Sequence, residues 1–175
     1  MKVERLQISR LDTERLILVP FTITICRQVR KHNFTALHNM GFKPGIGWPD
    51  EDVLETLPKI IINLTMAGYA TGFESWMIIK KDTKEVIGDI GFKGFNYIAQ
   101  NIDIGYGLIA AERGKGYAEE ASKALINWAF NHGRVKEITA QCLTNNKASI
   151  KLLKKLQFTQ QQRNDEYIFW RLQNA

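Results

Sequence analysis

The sequence is poor in the residues that build disulfide frameworks, metal centres and membrane spans. Its 2 cysteines, Cys26 and Cys142, stand far apart, which argues against a disulfide framework and for two buried, reduced thiols. His32, His38 and His132 have no ligand spacing with one another or with the cysteines, so no metal site is expected. No apolar run approaches the roughly 20 residues that span a bilayer. The opening stretch MKVERLQISRLDTERL mixes charges throughout and lacks the apolar centre of a signal peptide, so the expected compartment is the cytoplasm. Internal repeats, low-complexity tracts and Pro/Ser-rich linkers are also missing from the 175 residues, a length that suits one domain around one core.

What is present is a surplus of positive charge. The 24 Lys and Arg against 18 Asp and Glu leave +6 at pH 7, which calls for an anionic partner without naming it. Nucleic acid is one candidate and a phosphorylated cofactor another. The cations are scattered, and no aromatic–basic ribbon of the single-strand-binding kind occurs, so nucleic acid is the less favoured partner.

The apolar pattern alternates between strand and helix periods. RLILVPF (15–21) reads as a first strand, residues 23–40 as helical, and GFKPGIGWPDED (41–52) as turn-rich, with Pro49 at a first helical position ahead of three acids. A helix is expected from there to Gly68, kinked or divided at Pro58. Three strands with short links follow, at 76–81, 85–95 and 101–109, as in an antiparallel meander. Gly105 and Gly107 inside the third suggest a bulge or a close backbone approach. Residues 117–132 form a helix closed by Gly133, then come a strand at 136–143, an Asn-capped helix at 146–156 and a strand at 165–172. That order describes a mixed α/β sheet with helices on its faces.

The loop before helix 117–132 reads AERGKGYAEEA (111–121). A helix N-terminus offers unpaired N–H groups and a partial positive charge. Gly114 and Gly116 clear side chains from those donors, and Arg113 and Lys115 add charge, which makes a phosphate cradle. It is neither a P-loop nor a dinucleotide fingerprint, because Gly116 follows Lys115 where the former needs Ser or Thr, and GYGLIA lacks the third glycine of the latter.

Arg113-Gly114-Lys115-Gly116-Tyr117-Ala118 resembles the pyrophosphate signature of the GCN5-related N-acetyltransferases, the GNAT superfamily: Gln or Arg, two residues, Gly, one residue, then Gly or Ala. NNKASIKLLKKLQF (145–158) resembles that superfamily's segment running from an Asn and a Ser to a Gly-Phe pair. LDTERLILVPF (11–21) is similar to the opening strand of the branch that acetylates ribosomal-protein N-termini. The resemblance covers essentially the whole chain. It departs at Val19, where that branch often has Arg, and at Gln157, where Gly usually precedes Phe158 and a local turn change is expected.

The resemblance implies a single α/β (α+β) GNAT-like domain over 1–175, with a mixed, mostly antiparallel sheet, helices on both faces, and a splayed-strand wedge for acetyl-CoA between 101–109 and 136–143. Leu108 and Ile109 would pair with the pantetheine arm, while Arg113 to Ala118 hold the diphosphate. Asn146 and Ser149 would contact the cofactor, with Ser149 supporting the leaving thiolate in place of the Tyr that this helix lacks. Asp103 stands where the family carries a Glu and is the first choice as base, with Glu74 and Asp89 as alternatives. Trp48 and the acids Asp50, Glu51 and Asp52 would rim the acceptor side, which the 41–75 segment shapes. The activity implied is N-acetylation of a primary amine, on a protein N-terminus or a small molecule, without a metal. A non-catalytic acyl-CoA sensor of the same fold is the alternative, and homodimers are common in the superfamily.

Overall fold

The computed structural model describes Ile8 and residues 10–175; residues 1–7 and Ser9, part of the stretch read as lacking a signal peptide, lie outside them. In chain order the elements are β1 (Leu11–Asp12), β2 (Leu16–Pro20), α1 (Ile23–Val29), α2 (Thr35–Asn39), β3 (Lys43–Pro44), α3 (Glu51–Ala67) and β4 (Ser75–Lys80). They continue with β5 (Glu85–Asn96), β6 (Asn101–Leu108), a short 3-10 helix (Ala110–Glu112), α4 (Tyr117–Asn131), β7 (Glu137–Leu143), α5 (Lys147–Lys155), β8 (Thr159–Arg163) and β9 (Tyr167–Gln173). One nine-stranded sheet runs β1-β2-β4-β5-β6-β7-β9-β8, with β3 added beside β5. Its pairs are antiparallel except β3–β5 and β6–β7. The expected mixed, mostly antiparallel sheet is what forms. Among the described residues no helix is long and apolar enough to cross a membrane.

Register assigns the two faces. Trp76, Ile90 and Tyr106 lie opposite one another, and the Trp76 ring meets Trp128 of α4 at 5.6 Å, so this is the α4 face. The next positions, Met77, Asp89 and Gly107, share the other face, where α1 and α3 pack together. On β6 the rule separates buried Ile102 and Ile104 from half-buried Asp103 and exposed Gly105 and Gly107.

Several local expectations need correction. Residues 23–40 form two short helices, α1 and α2. Pro49 precedes the N-cap of α3 instead of opening the helix, and its bond to Trp48 is cis; Asp50 caps, its Oδ1 accepting from Val53 N at 3.0 Å. Pro58 does not divide α3, which runs through it for 17 residues. Val53, Leu57, Ile60 and Leu64 form one buried stripe on both sides of the proline, and that shared packing outweighs the lost backbone hydrogen bond. The bulge falls on β5, where the register shifts between Phe92 and Phe95, and not at Gly105 or Gly107. Strand β8, TQQQR, is exposed at every position; an edge strand with both faces wet carries no apolar alternation to read.

Gln157 does not change the turn after α5. Its N–H donates to Lys154 O and that of Phe158 to Leu153 O, both at 3.0 Å, the paired bonds of a helix end that normally takes Gly. Gln157 supplies them at φ 69°, with Phe158 and Leu153 buried together beneath it. A left-handed non-glycine residue costs about 1 kcal/mol. Gln157→Gly is therefore expected to raise the midpoint of thermal unfolding by a few degrees, with about 0.5–1 kcal/mol of added stability offset in part by unfolded-state entropy; an unchanged or lower midpoint would contradict this account of the turn.

Candidate functional site

The site begins where β6 ends. Helices α1, α3 and α5 are capped by the side chains of Thr22, Asp50 and Asn146, but α4 starts at Gly116 (φ 84°) with no side-chain cap. Its first N–H groups are left for an external acceptor, at the positive end of a helix of 15 residues. Gly114 is also left-handed, at φ 74°, and a Cβ there would meet no atom within 4 Å. The loop is open to an anion on that side.

Arg15, from the segment just before β2, holds this loop. Its Nη1 donates to Lys115 O at 2.9 Å and its Nε to Glu120 Oε2 at 2.7 Å. The guanidinium lies 4.5 Å over the Tyr117 ring, and its Nη2 is 3.3 Å from where a Gly116 Cβ would stand. Glu120 is fixed in turn by Thr13 Oγ1 at 2.6 Å and by the Arg15 N–H at 2.7 Å. Sequence reading matched this segment to an opening strand but did not assign Arg15 to the site; the contacts lie about a hundred positions away. Of the loop's own cations, Arg113 Nε donates to Leu108 O at 2.9 Å, and Lys115 Nζ reaches Glu112 Oε2 at 3.0 Å. Both cations stay exposed.

Below the loop the sheet opens. β6 and β7 pair only at Asn101↔Glu137, Ile102↔Ile138 and Asp103↔Thr139. Beyond that they diverge around a cavity of about 260 Å³ lined by Ile104, Tyr106, Cys142, Asn146, Ser149 and Tyr167. Ile109 is not available to a ligand as expected, because its N–H donates to Ile87 O at 2.9 Å within the sheet. Strand alternation then turns the Leu108 N–H to the wedge. Tyr106 and Ser149 both line the cavity, and burial pushes the Tyr106 hydroxyl above its ordinary pKa, an effect that Ser149 lessens. Tyr106 was also missed; its signal was its place in phase with the buried Ile102 and Ile104. Cys142 and Cys26 are both buried and unpaired, and Cys142 Sγ accepts from Trp170 Nε1 at 3.3 Å.

On the opposite face of β6, exposed Gly105 and Gly107 form a bare floor between two carboxylates. Asp103 is fully engaged: Oδ1 accepts from Thr139 Oγ1 and Oδ2 pairs with Lys93 Nζ, both at 2.8 Å. Asp89, across from Gly107, sits half-buried, and Oδ1 would be 4.0 Å from a Cβ on that glycine. Burial, together with the charges of Asp50 and Asp52 at the start of α3, pushes its carboxyl from 3.8 up to about 7. Glu74 is buried and caps a turn, accepting from Thr71 N at 3.1 Å and Thr71 Oγ1 at 2.8 Å. Trp48 does not stand on a rim; it is core, 4% exposed. An anion with an extended arm fits this arrangement, the anion on the open loop and the arm in the wedge.

Residues 15–159 match the family model of the acetyltransferase (GNAT) domain. The chain is 36% identical over 160 residues to YjdG, an uncharacterised N-acetyltransferase of Bacillus subtilis (strain 168), spanning 91% of this chain and 95% of that protein. Among solved structures, the ribosomal-protein-S5-alanine acetyltransferase of Vibrio fischeri superposes with a TM-score of 0.69 at 15% identity, over 95% of this chain and 97% of that one. The microcin C7 self-immunity acetyltransferase MccE, solved with acetyl-CoA and AMP, gives 0.65 at 16% identity over 93% and 94%. These two show a shared fold. The family match over most of the chain, with a near full-length relationship to YjdG, makes this protein an N-acetyltransferase of the GNAT family.

Proposed function

We propose that this chain moves an acetyl group from acetyl-CoA to a primary amine by direct attack. The observation that carries the reading is the uncapped, glycine-lined start of α4 leading along β6 into a wedge that opens after Asp103↔Thr139. Bound MccE acetyl-CoA supports the same ligand here. We further read residues 1–175 as one cytoplasmic domain, with 41–75 on the acceptor side.

When bound, the thioester supplies an activated acetyl group. Arg113, Lys115 and the N–H groups from Gly114 to Ala118 would hold the diphosphate, with Arg15 keeping the loop in shape. Asn146, Ser149 and the Leu108 backbone would line the arm, and the Leu108 N–H would donate to the acyl oxygen as charge develops. The amine arrives as ammonium and must lose a proton before it attacks. Asp103 is the weaker candidate base, since Lys93 and Thr139 occupy both oxygens. Asp89, with its carboxyl near 7 and no hydrogen-bond or ion-pair partner among the described residues, suits proton removal at neutral pH. The amine would give one proton to Asp89; as the C–N bond forms and the C–S bond breaks, its second proton would pass to the departing sulfur, so that coenzyme A leaves as the thiol. The Tyr106–Ser149 pair would hydrogen-bond the departing sulfur.

Asp89 makes opposite demands on activity and stability. Activity depends on its ionised form, so thiol release should rise with pH through about 7. Folding favours the neutral form. The stability this gives is complete below the unfolded value of 3.8 and is lost as pH rises through about 7, a change on the order of 4 kcal/mol. Asp89→Asn should therefore match the parent in thermal midpoint near pH 4, exceed it at pH 8, and slow acetylation at least tenfold with loss of the rise near pH 7. Asp103→Asn should keep that rise, and the reverse pattern would return the base to Asp103. Gly116→Asp should abolish acetyl-CoA binding while leaving the circular-dichroism spectrum intact; retained affinity would put the anion elsewhere. Binding without turnover of any amine would favour the sensor.

A further inference from the structure

Around the start of β6 lies a cleft of about 770 Å³, lined from both faces of the sheet and separate from the wedge. Its wall includes Asp103 and Thr139, the last residues paired before β6 and β7 part, while their next neighbours Ile104 and Ala140 line the wedge. The two hollows thus meet back to back where the strands separate. One wall is aromatic: Phe73 meets Phe95 at 5.4 Å, and Phe95 meets Tyr97 edge-on at 4.8 Å, leaving Tyr97 76% exposed. Rings displayed in this way favour an aromatic or apolar ligand body.

The charges of the cleft narrow the choice further. Its acids are spent internally, Asp103 on Lys93 and Glu74 on Thr71, and burial raises the Glu74 carboxyl above its ordinary pKa. Arg134, at the far end beside Asn101, lines the cleft and is exposed; among the described residues its guanidinium has no carboxylate in ion-pair range. A guanidinium in that position is a fork for a carboxylate or similar anion. Among the described residues that line the cleft, no acid is left without a partner to meet a polycation.

We infer that the acceptor is a primary amine on an aromatic or apolar body that ends in an anionic group, with the body in the cleft, the anion on Arg134 and the amine over Gly105, which lines the wedge just past the cleft's inner end at Asp103. The inference rests on the acetyltransferase reading above and names its substrate class. Asn101, at the Arg134 end, and Gly105 are four strand positions apart, about 13 Å at 3.3 Å per residue. An extended tripeptide or tetrapeptide with a free C-terminus has that span, as does a small molecule of the same layout. Polyamines and aminoglycosides do not have this charge pattern.

The test compares the tripeptide alanyl-phenylalanyl-glycine, its C-terminal amide, spermidine and kanamycin, following thiol release from acetyl-CoA. Calorimetric binding of each amine is measured alongside, independently of turnover. The free acid should exceed the amide and both polycations at least tenfold in kcat/KM, and should bind correspondingly tighter. Arg134→Gln should remove the acid-over-amide preference by raising KM while kcat holds. A preference for spermidine or kanamycin, equal use of acid and amide, or an Arg134→Gln variant that keeps the preference would each overturn the inference. So would failure of every amine to bind while acetyl-CoA binds. Failure to bind acetyl-CoA, by contrast, would remove the acetyltransferase reading; tripeptide binding that depends on Arg134 would then still uphold the cleft.

Discussion

The site depends on where two parallel strands stop pairing. β6 pairs with β5 along its length apart from the bulge opposite Asp103, and β7 keeps its seven-residue ladder with β9 on the other side. Between them only three positions are joined. Past Asp103 and Thr139 the strands no longer pair with each other, and Tyr106 and the first turn of α5 line the gap between them. In most sheets unpaired edges deep in the fold are costly. In the proposed reading the unpaired edge is the binding surface, which an arm with its own amides can complete as a strand would.

Electrostatics divide the same region into an anionic and a cationic task. At the loop end, α4 begins with no side-chain cap while Arg15, Arg113 and Lys115 gather around its first turn. Arg15 is tied to Glu120 and stacked on Tyr117, so the loop keeps its shape before any ligand arrives. On the opposite face, burial moves the Asp89 carboxyl to about 7, with Asp50 and Asp52 adding to the shift. The helix α3 that these acids cap thus tunes a residue on a strand it packs over. A floor of two glycines keeps that carboxylate reachable.

Some of this was legible in the sequence and some was not, for physical reasons. Gly114, Gly116, Arg113 and Lys115 could be read as a candidate anion loop because such a loop is a local device, built from neighbours in the chain. The meander, α4, α5 and β9 could be read because burial imposes a period. Arg15 and Tyr106 escaped because their roles come from partners distant in sequence, Glu120 and Ser149. Asp89 was named only as an alternative, since nothing near it in the chain reveals the acids that raise its pKa. Asp103 looked like the free acid, and only the folded chain brings Lys93 and Thr139 onto it. Pro58 and Gln157 break local rules that tertiary packing overrides, and β8 has no pattern because both of its faces are wet.

The central claim is that the start of α4 and the β6–β7 wedge together hold a diphosphate with a long arm. Calorimetric titration of the purified protein with acetyl-CoA, coenzyme A and ATP tests it most directly. The account predicts one site per chain with micromolar affinity for both coenzymes and much weaker binding of ATP, which has the phosphates without the arm. Equal affinity for all three would mean the wedge contributes nothing, and no coenzyme binding at all would contradict the account.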